Sequence, residues 1–578
     1  MNNSSATSVL VFAAANELPA NERIWGTGGW MEPAIREALD WVTLARLLGW
    51  GTEVRNLESV PALASHYRWV ILACNPDVLP SETIDWLQSL LAQRAVTVVA
   101  RAARPGTSWS RLAGAVRDAE QVVSRELVWI GPGPQRIWHC RKPLTGNRLR
   151  LAPGTMMWTS LSGNTVIAAR RLGAGTIATL AFHSSEARDT DGAASALLQH
   201  LLIWSVPPPV AWLDFDRTLI LRMDDPGSSE NVHHRIYSHT KLSEDQWKAV
   251  GTILRHHKAR LSIGYVSGWV DDGDPSRGEL FVNQRKPPRV AGAIHPSPQV
   301  RYAQPNGASE TIVHDYAAEF RGIQRLRGEG LAEVELHGYT HMCPDTAAWA
   351  KAADRYDQMQ WYRELGEPAS AAIAARPAEQ HPLALALTAF HENFGTHPST
   401  LISPGDQWTN QVLIHALDLG LQVVSSYYLA LRDSGRFCWS QHLCAPYLDT
   451  PDPSWFDSGL PVIGYFHDFD LAINGVEWLS HWLEEWVKVG AGRMIDLREF
   501  AAAVGRHVQI EKTGSDLRLQ VFTNGAPALV RPLRIGVRLD DENGLTSITI
   551  QSENCVFRCP IENGPGDTQH LTFWPSPG

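Results

Sequence analysis

The stretch from Thr218 to Gly227 is TLILRMDDPG, in which an apolar run ends on two adjacent aspartates, Asp224 and Asp225. The run from Thr218 to Arg222 predicts a buried strand, and Pro226-Gly227 predicts a turn directly after it. Two carboxylates held close together resist joint ionisation, and a divalent cation bound to one of them relieves that repulsion. A solvated Asp-Asp turn is the alternative interpretation of this motif on its own.

Histidines follow two further predicted strands. His337-Gly338-Tyr339-Thr340-His341 comes directly after the strand predicted from Ala332 to Leu336. Two imidazoles four residues apart can bind one metal ion, although a chain with 22 histidines also contains such pairs by chance. The strand predicted from Val462 to Phe466 delivers His467 at its carboxyl end. Together with the two aspartates, these motifs favour a metal-dependent active site.

Strands and helices alternate from about Leu213 to Arg506. The other strands predicted there are 261–266, 400–402 and 421–424. The predicted helices are 244–257, 315–327, 345–364, 383–393, 411–418 and 477–489. Six or seven such units suffice for a barrel of parallel strands, which keeps its catalytic groups at the carboxyl ends of the strands. Residues 268–314, rich in glycine, proline and charge, predict a long loop or lid.

The order of these motifs resembles that of the polysaccharide deacetylases of carbohydrate esterase family 4, over about residues 215–500. The shared order is Asp-Asp, His-x-x-x-His, a Pro-Gly loop and a late histidine. The resemblance implies a distorted (β/α) barrel and a divalent metal, zinc by default, bound by Asp225, His337 and His341. It also implies that Asp224 is the general base and His467 the general acid, with Asp468 or Asp470 as a partner that could orient the acid.

Two departures from the family pattern affect the expected substrate. Pro226 stands where the family has glycine, and the loop Ser403-Pro404-Gly405-Asp406-Gln407-Trp408 lacks the family's arginine that orients the base. The expected activity is hydrolysis of N-acetyl or O-acetyl groups on a carbohydrate. The residues expected to bind that substrate are Tyr339, Ser403, Pro404, Gly405 and Trp408, with Trp269 and Tyr302 as further sugar-stacking candidates.

Two smaller domains are expected on either side of residues 213–506. Residues 1–205 alternate strands and helices and resemble flavodoxin-type, glutamine-amidotransferase-like domains. The turn after Val98-Val99-Ala100 has no cysteine, so the nucleophile of that family is missing, and Cys74 is expected to be a packed thiol. Residues 507–578 predict a small antiparallel all-β domain. An oligomer, if one forms, is expected to use the N-terminal domain.

The composition of the chain argues against nucleic acid and a membrane as partners. The net charge of -10 gives no basic surface for nucleic acid, and no apolar stretch reaches the roughly 20 residues that span a membrane. The seven cysteines are scattered without a disulfide framework. The apolar run near the amino end has no basic residue before it, so a cytoplasmic location is expected.

Three other functions remain open at this point. A glycoside hydrolase could use Asp224 and Glu335 as paired carboxylates and would need no metal. A related amidohydrolase could act on a non-sugar amide. A non-catalytic carbohydrate-binding protein could retain the same fold.

Overall fold

The computed structural model describes most of the chain. The described residues are 7–13, 24–25, 27–28, 33–34, 37–57, 60–61, 67–184, 192–233, 239–306, 310–344, 362–366, 373, 376–433, 435–513, 516–523, 526–529, 531–539, 547–552, 555–560 and 568–573. The helix predicted over 345–364 lies outside the described residues except at its last three positions.

The N-terminal part forms one nine-stranded sheet, flanked by four helices. Its strands are β1 Thr7–Ala13, β5 Gly51–Asn56, β6 Trp69–Ala73, β7 Thr97–Arg101, β8 Ala115–Trp129, β9 Arg136–Leu151, β10 Thr155–Leu161, β11 Asn164–Leu172 and β12 Gly175–Leu180. The helices are α1 Glu37–Leu47, α2 Ser81–Gln93, α3 Ser108–Ala113 and α4 Ala193–Ser205. Short strands β2 Ile24–Trp25, β3 Thr27–Gly28 and β4 Pro33–Ala34 precede α1.

The strand order of this sheet is β5-β1-β6-β7-β12-β11-β10-β8-β9. Its first five strands are parallel, as expected, whereas β11, β10, β8 and β9 pair in antiparallel fashion. The predicted alternation of strands and helices is therefore wrong for the second half of this part. Charged side chains along the exposed positions of β8 and β9 give these long strands little of the continuous apolar character that marks a buried strand.

The central part forms the second large sheet. Its strands are β14 Thr218–Asp224, β15 Leu261–Tyr265, β21 Ala332–Leu336, β22 Thr400–Ile402, β23 Val423–Ser425, β24 Tyr428–Asp433, β25 Arg436–Cys444, β26 Val462–His467 and β27 Arg493–Ile495. The order β26-β14-β15-β21-β22-β23 is parallel throughout, and β24 and β25 continue it in antiparallel fashion. The parallel strands are buried on both faces, which explains their continuous apolar sequences.

Residues 445–448 connect the two ends of the parallel run. The Ala445 N–H donates to the carbonyl of Tyr427, just before β24, at 3.0 Å. The Leu448 N–H donates to the carbonyl of Tyr465 on β26 at 2.8 Å. The helices of this part are α5 Glu230–His233, α6 Glu244–His256, α7 Tyr316–Gly328, α8 Pro382–Phe394, α9 Asn410–Asp418, α10 Asp468–Asn474, α11 Glu477–Val489 and α12 Leu497–Val504.

The segment predicted as a long loop or lid is instead a small β structure with a core of its own. Its strands are β16 Gly268–Val270, β17 Glu279–Val282, β18 Ile294–Pro296, β19 Val300–Asn306 and β20 Glu310–Asp315. Trp269 and Tyr302 are 0% and 1% exposed in this core. The expectation that they stack on sugar at the cleft is therefore wrong, because their rings pack against one another and against Tyr316.

The tail forms two further small sheets. Their strands are β13 Val210–Leu213, β28 Arg506–Thr513, β29 Asp516–Thr523, β30 Leu533–Arg538, β31 Ser547–Ser552, β32 Cys555–Pro560 and β33 Thr568–Phe573. β13 pairs with β30, so a strand at the boundary between the first two predicted domains belongs with the tail. β29 and β31 are parallel, and the expectation of a wholly antiparallel tail is wrong at that pair.

The chain is thus a mixed α/β protein with large sheets that contain parallel strands, as expected. The boundaries at residues 205 and 507 stay predictions. None of the described helices combines the length and the apolar character needed to cross a membrane.

Candidate metal centre

Three potential metal ligands converge at the carboxyl ends of β14 and β21. Asp225 Oδ1 lies 3.1 Å from His337 Nε2 and 3.4 Å from His341 Nε2. One ligand atom from each of the three residues lies within 4.8 Å of the others. The structure thus brings together two motifs that are more than a hundred residues apart in the sequence, because both strands end at the same edge of the sheet.

The backbone at these ligands adopts conformations that side chains rarely favour. Asp225 has a φ of 80° and His341 a φ of 61°, both in the left-handed region. Such conformations cost of order 1–3 kcal/mol each and persist where the surrounding structure fixes them. Gly338, with a φ of 68°, also has no room for a side chain, because a Cβ there would lie 2.3 Å from Glu364 Oε2.

Glu364 fixes the loop that carries both histidines. Its carboxylate accepts the backbone N–H groups of Tyr339, Thr340 and His341 at 2.8, 3.0 and 3.2 Å, and the Thr340 hydroxyl at 2.8 Å. Burial raises the pKa of Glu364, while these hydrogen bonds lower it. Sequence reasoning missed this residue, because it assigned position 364 to a helix and found no motif there.

A hydrogen bond orients the His337 imidazole, and the neighbouring groups favour an anionic Asp225. His337 Nδ1 lies 3.0 Å from the carbonyl of Ile402, so it donates there and leaves Nε2 for a metal ion. His341 Nδ1 lies 3.5 Å from a carboxylate oxygen of Glu230. Burial raises the pKa of Asp225, but the hydrogen bond to His337 and the neighbouring imidazoles hold it well below its usual range. Two imidazoles and one carboxylate fit a catalytic divalent-ion site.

Asp224 is held by an arginine from its own strand. Arg222 Nε lies 3.0 and 3.1 Å from the two carboxylate oxygens of Asp224, and Nη2 lies 2.5 Å from Oδ2. Arg222 also donates to the Ser425 hydroxyl and to the Ser426 carbonyl, both at 2.9 Å. The Pro-Gly loop lacks the arginine of the family pattern. In this structure the arginine that contacts Asp224 is Arg222, two residues earlier on the same strand. The spacing was a usable signal, because residues two apart on a strand share a face.

His467 ends β26 directly beside Asp224 in the strand register. Its Nδ1 lies 2.8 Å from the hydroxyl of Tyr447, which donates to Asp470 Oδ2 at 2.7 Å. Burial lowers the pKa of His467, but Asp470, whose Oδ2 lies 3.8 Å from Nδ1, and the charges of Asp225 and Asp224 raise it to about 9. Of the two predicted partners, Asp470 takes this position, whereas Asp468 forms an ion pair with Lys241 at 2.6 Å.

A cavity of about 290 Å³ opens onto these residues. Its lining is Asp224, Asp225, Glu230, His337, His341, Tyr362, Arg363, Ser403, Gly405, Asp406, Tyr427, Tyr447, Tyr465, His467 and Phe469. Among the predicted substrate residues, Ser403 and Gly405 line it, and Tyr339, Pro404 and Trp408 do not. Trp408 is 8% exposed and packs in the core.

Glu335 lies away from this cavity. It is fully buried and accepts hydrogen bonds from the backbone N–H groups of Ser399 and Thr400 at 2.7 and 2.8 Å. The structure does not bring it together with Asp224 as a pair of carboxylates across a cleft.

No family model and no curated protein matches the chain. An exo-β-1,4-mannosidase from Opitutaceae bacterium strain TAV5 has 15% identity over 34% of this chain and 34% of that chain, with a TM-score of 0.24. A β-galactosidase from Bacillus circulans sp. alkalophilus has 12% identity over 30% and 28%, with a TM-score of 0.24. A mutant pseudoenzyme of family CE4 with restored enzymatic activity has 10% identity over 49% and 65%, with a TM-score of 0.25. The chain spans about a third of the length of the two glycosidases, and similarities this low carry no functional argument.

Proposed function

We propose that the chain is a metal-dependent deacetylase that hydrolyses N-acetyl or O-acetyl groups of a carbohydrate. The observation that carries the proposal is the convergence of Asp225, His337 and His341 at the end of the central sheet. Three protein ligands leave coordination positions for water and substrate, and this donor set suits zinc. A bound divalent ion would lower the pKa of a water molecule from about 15.7 to about 7 and polarise the acyl carbonyl.

Asp224 is the general base in this proposal. Arg222 fixes its carboxylate, which accepts a proton from the attacking water. Asp224 lies next to the ligand Asp225 in the chain and lines the same cavity, so it is adjacent to where that water would lie.

His467 is the general acid. Because its Nδ1 is engaged by the Tyr447 hydroxyl, Nε2 is the nitrogen left to protonate the departing amine or alkoxide. Its raised pKa keeps the imidazole protonated near neutral pH. Protonation by a positioned acid typically contributes about 10²- to 10⁴-fold to the rate.

The cavity lining supports a carbohydrate as substrate. Four tyrosines and Phe469 line the cavity around the metal ligands. Such side chains combine an apolar face for a sugar ring with polar edges for its hydroxyls. The adjacent Arg363 and Ser403 add polar groups to the same lining.

The test is acetate release from a panel of acetylated glycans and acetylated non-sugar amides, with and without chelator. We expect release from at least one glycan, loss on chelation and recovery on addition of zinc. Asp225→Ala and His341→Ala should abolish activity and bound metal, whereas His391→Ala, at an exposed histidine, should leave both unchanged. Activity that survives chelation and both substitutions would refute the metal mechanism. Release from the non-sugar amides alone would refute the carbohydrate substrate.

A further inference from the structure

A second and larger cavity lies at the opposite end of the central sheet. It has a volume of about 470 Å³ and lies between the N-terminal part and the central part. Asp216, two residues before β14, lines it, as does Asp457, which precedes β26. Both strands run from there to Asp224 and His467. The seven residues of β14 span roughly 20 Å, so this cavity is separate from the metal centre.

Aromatic rings form the walls of this cavity. Trp138 and Trp204 come from the N-terminal part, Trp212 from β13 of the tail sheets, and Phe456 from the central part. The rim carries the exposed carboxylates of Asp216 and Asp457. Aromatic side chains beside carboxylates match a ring that carries apolar C–H groups and several hydroxyl groups, because the C–H groups contact the aromatic side chains and the hydroxyls donate to carboxylate.

His200 supplies an unsatisfied polar group at the base of the cavity. The side chain is in the lining but only 6% exposed, and among the described residues its Nε2 has no hydrogen-bond partner. Its ring lies 5.0, 5.6 and 5.7 Å from the rings of Trp129, Trp138 and Trp204. Burial lowers the pKa of His200 to about 3, so the imidazole is neutral. A buried polar atom without a partner destabilises a protein by about 1–3 kcal/mol, and a ligand hydroxyl would remove that penalty.

The cavity is preformed by contacts between its two walls. Arg141 on β9 forms an ion pair with Asp452 at 2.9 Å, and its guanidinium lies 5.3 Å from the ring of Trp455. These contacts hold the loop that carries Phe456 and Asp457 against the N-terminal sheet. A ligand would therefore meet walls already in position.

We propose that this cavity is a binding site for a saccharide of one or two rings. Its volume lies within the range of small-ligand sites. The neutral His200 and the rim carboxylates bind hydroxyl groups, while the aromatic side chains of the lining contact the apolar C–H groups of the ring. This site is independent of the proposed chemistry at the metal centre.

Isothermal titration calorimetry on the full chain tests this site. The titrants are neutral monosaccharides and disaccharides, an amino sugar, and tetramethylammonium as a purely cationic probe. We expect saturable binding of at least one saccharide and none of tetramethylammonium. His200→Leu and Asp216→Asn should each weaken that binding about tenfold or more. His200→Leu should leave the thermal unfolding temperature unchanged or higher, which a merely structural role would not do.

Two controls separate this site from the rest of the molecule. Asp85→Asn, at an exposed aspartate on α2, and Asp225→Ala, at the metal centre, should both bind the saccharide as the unaltered chain does. Absence of saturable binding by any saccharide overturns the proposal. So does binding of tetramethylammonium alone, unchanged affinity in Asp216→Asn, or loss of binding in Asp225→Ala. Asp216 is exposed, so its variant tests the proposal even if His200→Leu folds poorly.

Discussion

Arg222 contacts several side chains in the interior of the central sheet. It is 1% exposed and binds Asp224, lies 3.6 Å from Asp406, and has its guanidinium 4.9 Å from the ring of Tyr465. Burial lowers its pKa, but the carboxylates of Asp224 and Asp406 raise it above the usual value. Removing the charge would leave the buried carboxylate of Asp224 without its ion-pair partner, at a cost of about 3–5 kcal/mol.

Arg222→Lys separates the charge from its geometry. Lysine keeps the positive charge but cannot form the forked contact to Asp224, so we expect kcat to fall about 10- to 100-fold with metal binding retained. Steady-state kinetics and metal analysis measure this, with Arg285→Lys at an exposed arginine as control. An unchanged kcat would contradict the positioning role of Arg222.

We expect His467 and Asp470 to determine how the proposed activity depends on pH at the alkaline end. Because the pKa of His467 is raised to about 9, the proposed acid loses its proton, and activity falls, as the pH rises through that value. Asp470→Asn can keep the hydrogen bonds but removes a negative charge, so the alkaline limb of the kcat profile should move to lower pH. The pH profile of kcat is measured on the unaltered chain, on Asp470→Asn and, as a control, on Asp85→Asn. A limb at the same pH would exclude His467 as the titrating acid.

At the level of elements, the loop from His337 to His341 depends on one carboxylate outside it. Glu364 accepts three consecutive backbone N–H groups of this loop, and no other described side chain accepts them. The loop conformation, and with it the direction of both imidazoles, therefore rests on that residue.

Glu364→Ala should weaken metal binding about 10- to 100-fold, the usual effect of losing a residue that supports metal ligands. His337 keeps its contact with the Ile402 carbonyl, so residual binding should remain. Titration with zinc measures the change, and Glu392→Ala, at an exposed glutamate, is the matched control. Equal affinity in the two variants would show that the loop holds its shape without Glu364.

The elements that sequence predicts best are the short parallel strands. Ala332–Leu336 and Thr400–Ile402 have the predicted bounds, because glycine or proline residues flank these short runs on both sides. β8 and β9 were missed, because register shifts in their pairing interrupt the alternation of apolar and charged residues. The residues at strand ends were likewise predictable, whereas Glu230, Glu364 and Tyr447 reach the site through tertiary contacts that leave no local pattern.

At the scale of the whole molecule, charged groups join the central part to the tail. Glu499 on α12 lies 3.8 Å from Arg531 and is buried. Burial and the nearby Asp496 raise the pKa of Glu499 to about 7, against the opposing charge of Arg531. This value exceeds the unfolded value of about 4.3. The stabilising contribution is therefore complete below about pH 4.3 and is lost as the pH rises through about 7.

Glu499→Gln should remove the loss of stability that accompanies ionisation of Glu499. Between about pH 5 and about pH 8, the free energy of unfolding of the unaltered chain should fall by about 1–3 kcal/mol more than that of the variant. Urea unfolding at both pH values measures the difference. Glu511→Gln, at an exposed glutamate, should follow the unaltered chain. Parallel pH profiles for all three proteins would rule out a buried, neutral Glu499.

The left-handed backbone at Asp225 and His341 has a consequence for preparing the protein. Contacts within the chain, from the Ile402 carbonyl and the Glu364 carboxylate, hold the histidine loop in the conformation described above. Under the proposed function, the cation would enter a preformed site, unlike the ion of a zinc finger, whose peptide folds only around its metal. Dialysis against chelator should leave the fold intact, and one stripped batch could be refilled in turn with zinc, cobalt or manganese to compare their activities.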